Sequence, residues 1–365
     1  MRILFVDDEE RVLAGIRRTL FMADRDWETD FATSGADALV KLVAQPADVV
    51  VSDMRMPMMD GGQLLRRVRD AWPATVRIIL SGHTEQEAAL RTLDVAHRFL
   101  AKPCDGDALI EAIDRTMGLQ ELLQHKALQE VVGRIGTLPA APHMYERLTR
   151  LLAEEGERVA QVVATVEQDP ALAAKVLQLA NCAFFNEGEL VADIAEAVAR
   201  VGLPTLRTLV LATEVFGRKE CAEVDALRLQ AVHASRLAGE IADAYAPRET
   251  TTTAALLAEV GKLLPEVEHL CGEADARGDG FPTHAEIGAY LLGMWGLPAT
   301  IVEAVAHHRN PERVQPKAFD ALGVVHVAVA LARGESPDKG YLDRMGVAER
   351  LQQWGRTCAA QVPGK

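Results

Sequence analysis

Basic residues are scarce in this chain. There are 39 lysines and arginines against 53 aspartates and glutamates, a formal net charge of -14. Nucleic acids are bound by neutralising their phosphates, so a surface this acidic makes nucleic acid an unexpected partner. Long apolar runs are also missing. The longest nearly unbroken one, 321–332, contains His326 and falls short of the roughly 20 residues that cross a bilayer. The N-terminus reads MRILFVDDEE, with acids where a secretory leader carries its apolar stretch, so a cytoplasmic location is expected. The five cysteines, Cys104, Cys182, Cys221, Cys271 and Cys358, are widely spaced with no C-x-x-C. That pattern argues against both a disulfide framework and a zinc ribbon.

What is present is the balance of a globular protein: 49% apolar and 25% charged residues over 365 positions, enough for two or three domains. In the first 118 residues, short apolar runs at 3–6, 27–31, 48–52, 76–80 and 98–100 alternate with helical patterns near 10–22, 35–45, 61–71, 85–94 and 106–117. VVVS and RIIL are continuous apolar strands, as expected where helices cover both faces of a parallel sheet. Five such repeats predict a doubly wound α/β fold, whose ligand site lies beyond the carboxyl ends of the strands. Asp7 and Asp8, Asp53, Ser81 and Lys102 all fall at those ends.

Three carboxylates at one rim repel one another, and a hard divalent cation with oxygen ligands, magnesium, relieves the repulsion. The metal and Lys102 would neutralise an incoming phosphoryl group, Asp53 would be the nucleophile, and Ser81 would hydrogen-bond a phosphoryl oxygen. Asp7-Asp8, DMRMP at 53–57 with Asp60-Gly61, ILSG at 79–82 and FLAKP at 99–103 together resemble the receiver domain of two-component response regulators. The resemblance implies that Asp53 is the phosphoacceptor. Asp8, Asp53 and the backbone carbonyl of Arg55 would hold magnesium, with Asp7 helping through water. Ser81 and Phe99 would form a switch pair.

After Gly136 the strand signals fade and helical spacing takes over. Helices are expected near 192–201, 204–216, 226–245, 251–263, 284–294, 298–309, 318–333 and 343–360. Asp169-Pro170 marks a helix start, an N-cap acid followed by proline at the first position. LPAAP at 138–142, DPALAAKVLQLANCAFF at 169–185, IAEAVARVG at 194–202, ALLAEVGK at 255–262, HAEIGAYLLGMWGLP at 284–298 and VEAVAHHRNP at 302–311 resemble the HDOD branch of the HD superfamily. In catalytic HD proteins a metal-binding His-Asp pair precedes a short I/V-G-K run. Here Val260-Gly261-Lys262 is preceded by Ala258 and Glu259, and His307-His308 is followed by Arg309 where an acidic ligand would be needed.

The organisation expected is a receiver at 1–118, a helical connector at 119–130, an all-α HDOD output domain at 131–335 and a helical appendage at 336–365. His233, Ala258, Glu259, His284, His307 and His308 mark a degenerate HD site. His233 is placed on an apolar helix face with Leu229, Leu237 and Ile241, His284 acts as a cap, and His307 and His308 serve a helix end. No cofactor is expected in that domain. The leading function is a non-enzymatic response regulator in which phosphorylation of Asp53 switches output by protein–protein interaction. The partners implied are a sensor histidine kinase, an output protein such as a signalling enzyme, and a second copy of the chain; neither nucleic acid nor membrane is expected. The alternatives are a metal-dependent phosphodiesterase acting on a cyclic dinucleotide or nucleotide, and a transcription factor.

Overall fold

Runs of Val, Ile, Leu and Phe with no polar face become strands only where both faces are covered. That is their setting in the computed structural model of the chain, which describes all residues except 24, 83–91, 105, 123–125, 137, 154–157, 183–184, 186–188, 213–216, 219–221, 265–282 and 362–365. Two compact units are present, the first built on Met1–Thr137 and the second on Leu138–Asn181, Glu189–Gly293 and Leu297–Lys365.

In the first unit, β1 (Arg2–Val6), β2 (Glu28–Ala32), β3 (Val49–Asp53), β4 (Val76–Gly82) and β5 (Arg98–Lys102) form one sheet in the order β2-β1-β3-β4-β5. Every pairing is parallel. The helices are α1 (Glu10–Met22), α2 (Gly35–Ala44), α3 (Gly61–Ala71), α4 (Gly106–Leu122) and α5 (Lys126–Gly133). Ser34 and Asp60 cap α2 and α3 by accepting the amides of Asp37 and Gln63. The helix expected at 85–94 lies largely outside the described residues. Gly118 does not end α4, which runs on to Leu122.

Strand β4 carries one charged residue in its apolar run. Arg77 is 1% exposed, and its guanidinium donates to the carbonyls of Val95 (2.6 Å), Thr75 (3.1 Å), Pro73 (3.2 Å) and Gly133 (2.6 Å). It also donates to His97 Nε2 at 2.7 Å. An arginine can only donate, so this imidazole nitrogen carries a lone pair. Burial, with the charges of Arg77 and Arg98, holds His97 well below the ordinary histidine range. Arg77 thereby fastens the end of α5 to the start of the strand that ends at the candidate site.

The second unit comprises α6 (Pro142–Ala153), α7 (Val159–Val166), α8 (Pro170–Ala180), α9 (Ile194–Val201), α10 (Leu203–Ala212), α11 (Ala222–Ala242), α12 (Arg248–Leu257), α13 (His284–Met294), α14 (Ala299–His307), α15 (Ala321–Ala332), α16 (Lys339–Arg344) and α17 (Leu351–Gln361). Acids start several of these helices. Asp169, Asp193, Asp320 and Asp338 each cap one through a side-chain oxygen, which puts part of the acidic surplus to local use. The domain is not wholly α. Pro139–Ala140 (β6) and Gly217–Arg218 (β7) pair in parallel, a ladder too short to leave a periodic trace in sequence. The single helix expected over 251–263 is instead α12, a break, and a 3-10 turn at Val260–Leu263. The final helix also divides, into α16 and α17.

The sparse aromatics gather at the end of this unit. Tyr245 meets Phe319 edge-on at 4.9 Å between ring centroids, and Phe319 stacks on Trp354 at 5.7 Å. The C-terminal helix is thus bound into the core by Trp354.

Arg77→Met is expected to lower the unfolding free energy by about 3 kcal/mol, because buried carbonyls lose their donor. Urea unfolding at neutral pH reads this directly. A loss below about 1 kcal/mol would mean that the carbonyls find other partners.

Candidate functional site

At the carboxyl rim of the sheet, Asp7 follows β1, Asp53 ends β3 and Lys102 ends β5. The parallel register sets Asp53 opposite Leu80 and Lys102 opposite Gly82. Lys102 Nζ lies 2.7 Å from Asp7 Oδ2 and also pairs with Asp53 Oδ1. Both acids are nearly sealed from solvent, Asp7 at 1% and Asp53 at 6% exposure. Burial alone would pull the ammonium down. Its hydrogen bonds to Asp53 and Asp7, and their charges, outweigh that and hold it above the ordinary lysine range.

The backbone fixes the acids. Asp7 Oδ1 accepts the amide of Glu9 at 2.9 Å, and Asp53 Oδ2 accepts that of Arg55 at 3.0 Å. Gly61 opens α3 against the strand end. A Cβ there would stand 2.2 Å from the Asp53 carbonyl oxygen, so only glycine lets α3 begin so close. Asp8 is exposed, Ser81 is fully buried at the end of β4, and Phe99 is buried on β5 opposite Ile79. The acidic donors at this rim are all oxygens, the set a hard cation such as magnesium takes, and the exposed Asp8 leaves room for its retained waters. The rim therefore fits magnesium.

A second cluster lies in the helical unit. Glu259 sits in the break after α12, His284 opens α13, and His308 follows α14. Glu259 Oε1 is 3.3 Å from His284 Nε2, 3.5 Å from His308 Nε2 and 3.1 Å from Arg333 Nη1. Lys262 Nζ pairs with the other oxygen. Burial pushes the Glu259 carboxyl up, but the hydrogen bond and charge of His284 and the charge of Lys262 hold it well below the usual carboxylate range. A Cβ on Gly261 would fall 1.9 Å from the His284 carbonyl oxygen, which explains a glycine in the V-G-K run: the turn is pressed onto α13. Glu259, His284 and His308 place their ligand atoms within 4.8 Å of one another, close enough to share a metal ion.

Of the degenerate-site residues, then, the structure brings together Glu259, His284 and His308, with the buried Ala258 beside them contributing no ligand. His233 does not join. Its Nε2 lies 3.3 Å from the Cys358 carbonyl and 3.6 Å from the Cys358 thiol, and Leu229 on the expected apolar face is 60% exposed. That face turns to solvent one turn before His233, so the helix presents the ring to α17. His307 is half-buried and also lies outside the cluster. Burial and the charge of Arg313 pull it down. His284 is not the cap of α13. Thr283 and Glu286 exchange reciprocal hydrogen bonds in that role, which frees the imidazole to face Glu259. His308 does serve a helix end: its Nδ1 donates to the Val305 carbonyl at 2.8 Å. Arg333 escaped the sequence reading, and no spacing signal links it to Glu259, 74 positions earlier.

His326 supports the cluster from behind. Its Nδ1 donates to the His308 carbonyl at 2.6 Å, and its Nε2 accepts the Asp338 amide at 2.9 Å. That pair of bonds requires a neutral ring, and burial holds its pKa below the ordinary range.

Residues 3–114 match the family model described as the response regulator receiver domain, and residues 138–269 match that of the HDOD domain. The hydrogenase transcriptional regulatory protein HoxA of Cupriavidus necator is 34% identical over 122 residues, 33% of this chain and 25% of that protein. The transcriptional regulatory protein GlrR of Escherichia coli is 37% identical over 115 residues, 31% of this chain and 25% of that protein. The chain therefore spans about a quarter of the length of these two regulators. The crystal structure of the signal receiver domain of an HD domain-containing protein from Pseudomonas fluorescens is 30% identical and covers 33% of this chain and 96% of its own, at a TM-score of 0.31. No helix among the described residues is long and apolar enough to cross a membrane.

The pKa of His326 is depressed in the folded chain, so the unfolded chain takes up its proton first as pH falls. The stability this ring contributes is present above pH 6.5 and lost as pH drops through its lower folded value. His326→Gln is expected to cost about 1–3 kcal/mol at pH 7.5 and to flatten the decline between pH 7 and 5. Urea unfolding followed across that range would contradict this by giving parallel curves for both proteins.

Proposed function

The chain belongs to the two-component response regulators, a receiver domain followed by an HDOD domain, and from that premise we propose that phosphorylation of Asp53 switches an HDOD output that works by protein–protein interaction. The observation that carries the first half is Lys102 Nζ shared between Asp7 and Asp53 at the carboxyl rim. A phosphoryl group arriving at Asp53 brings charge to a place where an ammonium already stands. Positioning and charge neutralisation are most of what phosphoryl transfer asks of a protein. Asp8, Asp53 and the Arg55 carbonyl would hold magnesium, with Asp7 acting through water. When bound there, the metal would add further neutralisation of the phosphoryl oxygens. Asp53 Oδ attacks phosphorus, and the donor's leaving group departs on the opposite side.

Ser81 and Lys102 then receive the phosphoryl oxygens. Ser81 ends β4, and Phe99 lies on the neighbouring strand, so a displaced Ser81 alters the space available to that ring. Strand β4 also begins near Arg77, which holds Gly133 at the end of α5. One strand therefore links the phosphoryl site to the stretch leading into the HDOD domain, and a shift along it supplies a two-state element for the signal to bias.

The absence of a ligand at Ala258 and the two cations on Glu259 support a non-catalytic HDOD domain rather than a phosphodiesterase. The acidic net charge of -14 supports a protein partner rather than nucleic acid. A sensor histidine kinase upstream and a cytoplasmic setting complete the reading, with a signalling enzyme or a second copy of the chain as the output partner. The domain limits we adopt are 1–118, 119–130, 131–335 and 336–365.

Incubation with radiolabelled acetyl phosphate tests the switch. The wild type should take up label in a magnesium-dependent way, Asp53→Asn none, and Lys102→Met at least about tenfold less, since removal of one charge-assisted contact costs about 1.5–3 kcal/mol. Label retained by Asp53→Asn, or undiminished by chelation, would remove the basis of the proposal. Affinity capture with phosphorylated wild type and with Asp53→Asn reads the output, and identical partner lists would count against gating by phosphate.

A further inference from the structure

Two histidines and a glutamate with converging ligand atoms form a known recipe for a transition metal. In this cluster both oxygens of the carboxylate already face cations of the protein's own. Ligands held tetrahedrally at about 2.0–2.1 Å from zinc stand about 3.3–3.4 Å from one another. The separations from Glu259 Oε1 to His284 Nε2 and His308 Nε2 are 3.3 and 3.5 Å, and all three ligand atoms lie within 4.8 Å of one another, so the three groups converge on one point. His308 is also oriented like a metal ligand. Its Nδ1 donates to the Val305 carbonyl at 2.8 Å, which leaves the Nε2 lone pair aimed at a carboxylate oxygen. Two electron-rich atoms facing each other call for positive charge nearby.

Arg333 brings that charge. Its Nη1 reaches Glu259 Oε1 at 3.1 Å, the same oxygen that both histidines face. Lys262 holds the remaining oxygen. Glu335, 2.8 Å from Arg333 Nη2, fixes the guanidinium from its other side. A divalent ion entering here would meet two fixed positive charges and a single carboxylate, and to reach Oε1 it would have to displace Arg333.

We propose that Arg333 is a built-in substitute for a metal: Glu259, His284 and His308 form a complete three-ligand transition-metal site that the guanidinium of Arg333 keeps closed. The inference rests on the reading of the HDOD domain as non-catalytic and gives it a physical cause. Ala258 removes one ligand, but Arg333 removes the vacancy. The site is latent, and one substitution opens it.

The test uses the full chain and zinc in competition with a chromophoric zinc indicator. Wild type should show no binding attributable to His308, meaning that His308→Ala leaves its zinc isotherm unchanged. Arg333→Met should gain one equivalent per chain, bound at least tenfold more tightly than any zinc on the wild type. Arg333→Lys, which keeps the charge, should behave as wild type, and Arg333→Met with His308→Ala should lose the gained equivalent. Cobalt gives a second readout, as Arg333→Met should develop visible absorption that the double variant lacks. Should Arg333→Met fail to fold by circular dichroism, Arg333→Gln serves, removing the charge but keeping a polar side chain. A neutral variant that binds no additional zinc overturns the proposal and leaves the non-catalytic reading standing. Wild type that binds zinc through His308 as tightly as Arg333→Met overturns the closure. Hydrolysis of bis(p-nitrophenyl) phosphate by wild type with zinc or manganese would instead overturn the non-catalytic reading itself.

Discussion

Because all five strands of the sheet run the same way, their carboxyl ends share one rim, and groups far apart in sequence meet there. Asp7, Asp53 and Lys102 sit one to each of three strand ends and owe their meeting to that direction. Reversal of any one strand would send its reactive residue to the opposite edge. The apolar composition of β1, β3 and β4 enforces the arrangement, since strands buried on both faces are stable only when helices cover them. The helix-covered parallel sheet is the fold that does so. The chemistry at the rim thus depends on the burial of residues that take no part in it.

The same economy of charge governs both halves of the chain. At the rim, one ammonium pairs with two sealed carboxylates, each also held by a backbone amide. In the helical unit the ratio is inverted: one sealed carboxylate faces two permanent cations and two imidazoles. The two units therefore set carboxylate against cation in opposite proportion. Buried charge is costly unless paired, so each arrangement needs its partners held in place by the backbone. Gly61 and Gly261 do this by allowing a turn to lie against a neighbouring element where any side chain would collide.

Arg77 shows a buried charge stabilised by neutral acceptors. Four carbonyls and a neutral histidine take up its donors, and one of those carbonyls belongs to the end of α5. The strand that carries Ser81 is thereby fixed at its start to the residues that precede the second unit.

The five strands and the acidic rim were legible in the sequence because they depend on local signals: apolar runs, turn residues, and acids or lysine at strand ends. The helix start at Asp169-Pro170 was legible for the same reason, as the cap and the proline are neighbours. What sequence could not yield was the company each side chain keeps across the fold. His233 shares a helical register with Leu237 and Ile241 yet faces Cys358, because which face of a helix is covered is decided by distant elements. Arg333 meets Glu259 across 74 positions, with no period or motif to announce it. Local periodicity and capping chemistry wrote the elements and one of the two sites into the sequence. Only the packing of helices against one another decided which histidines gather around Glu259 and which cation faces them there.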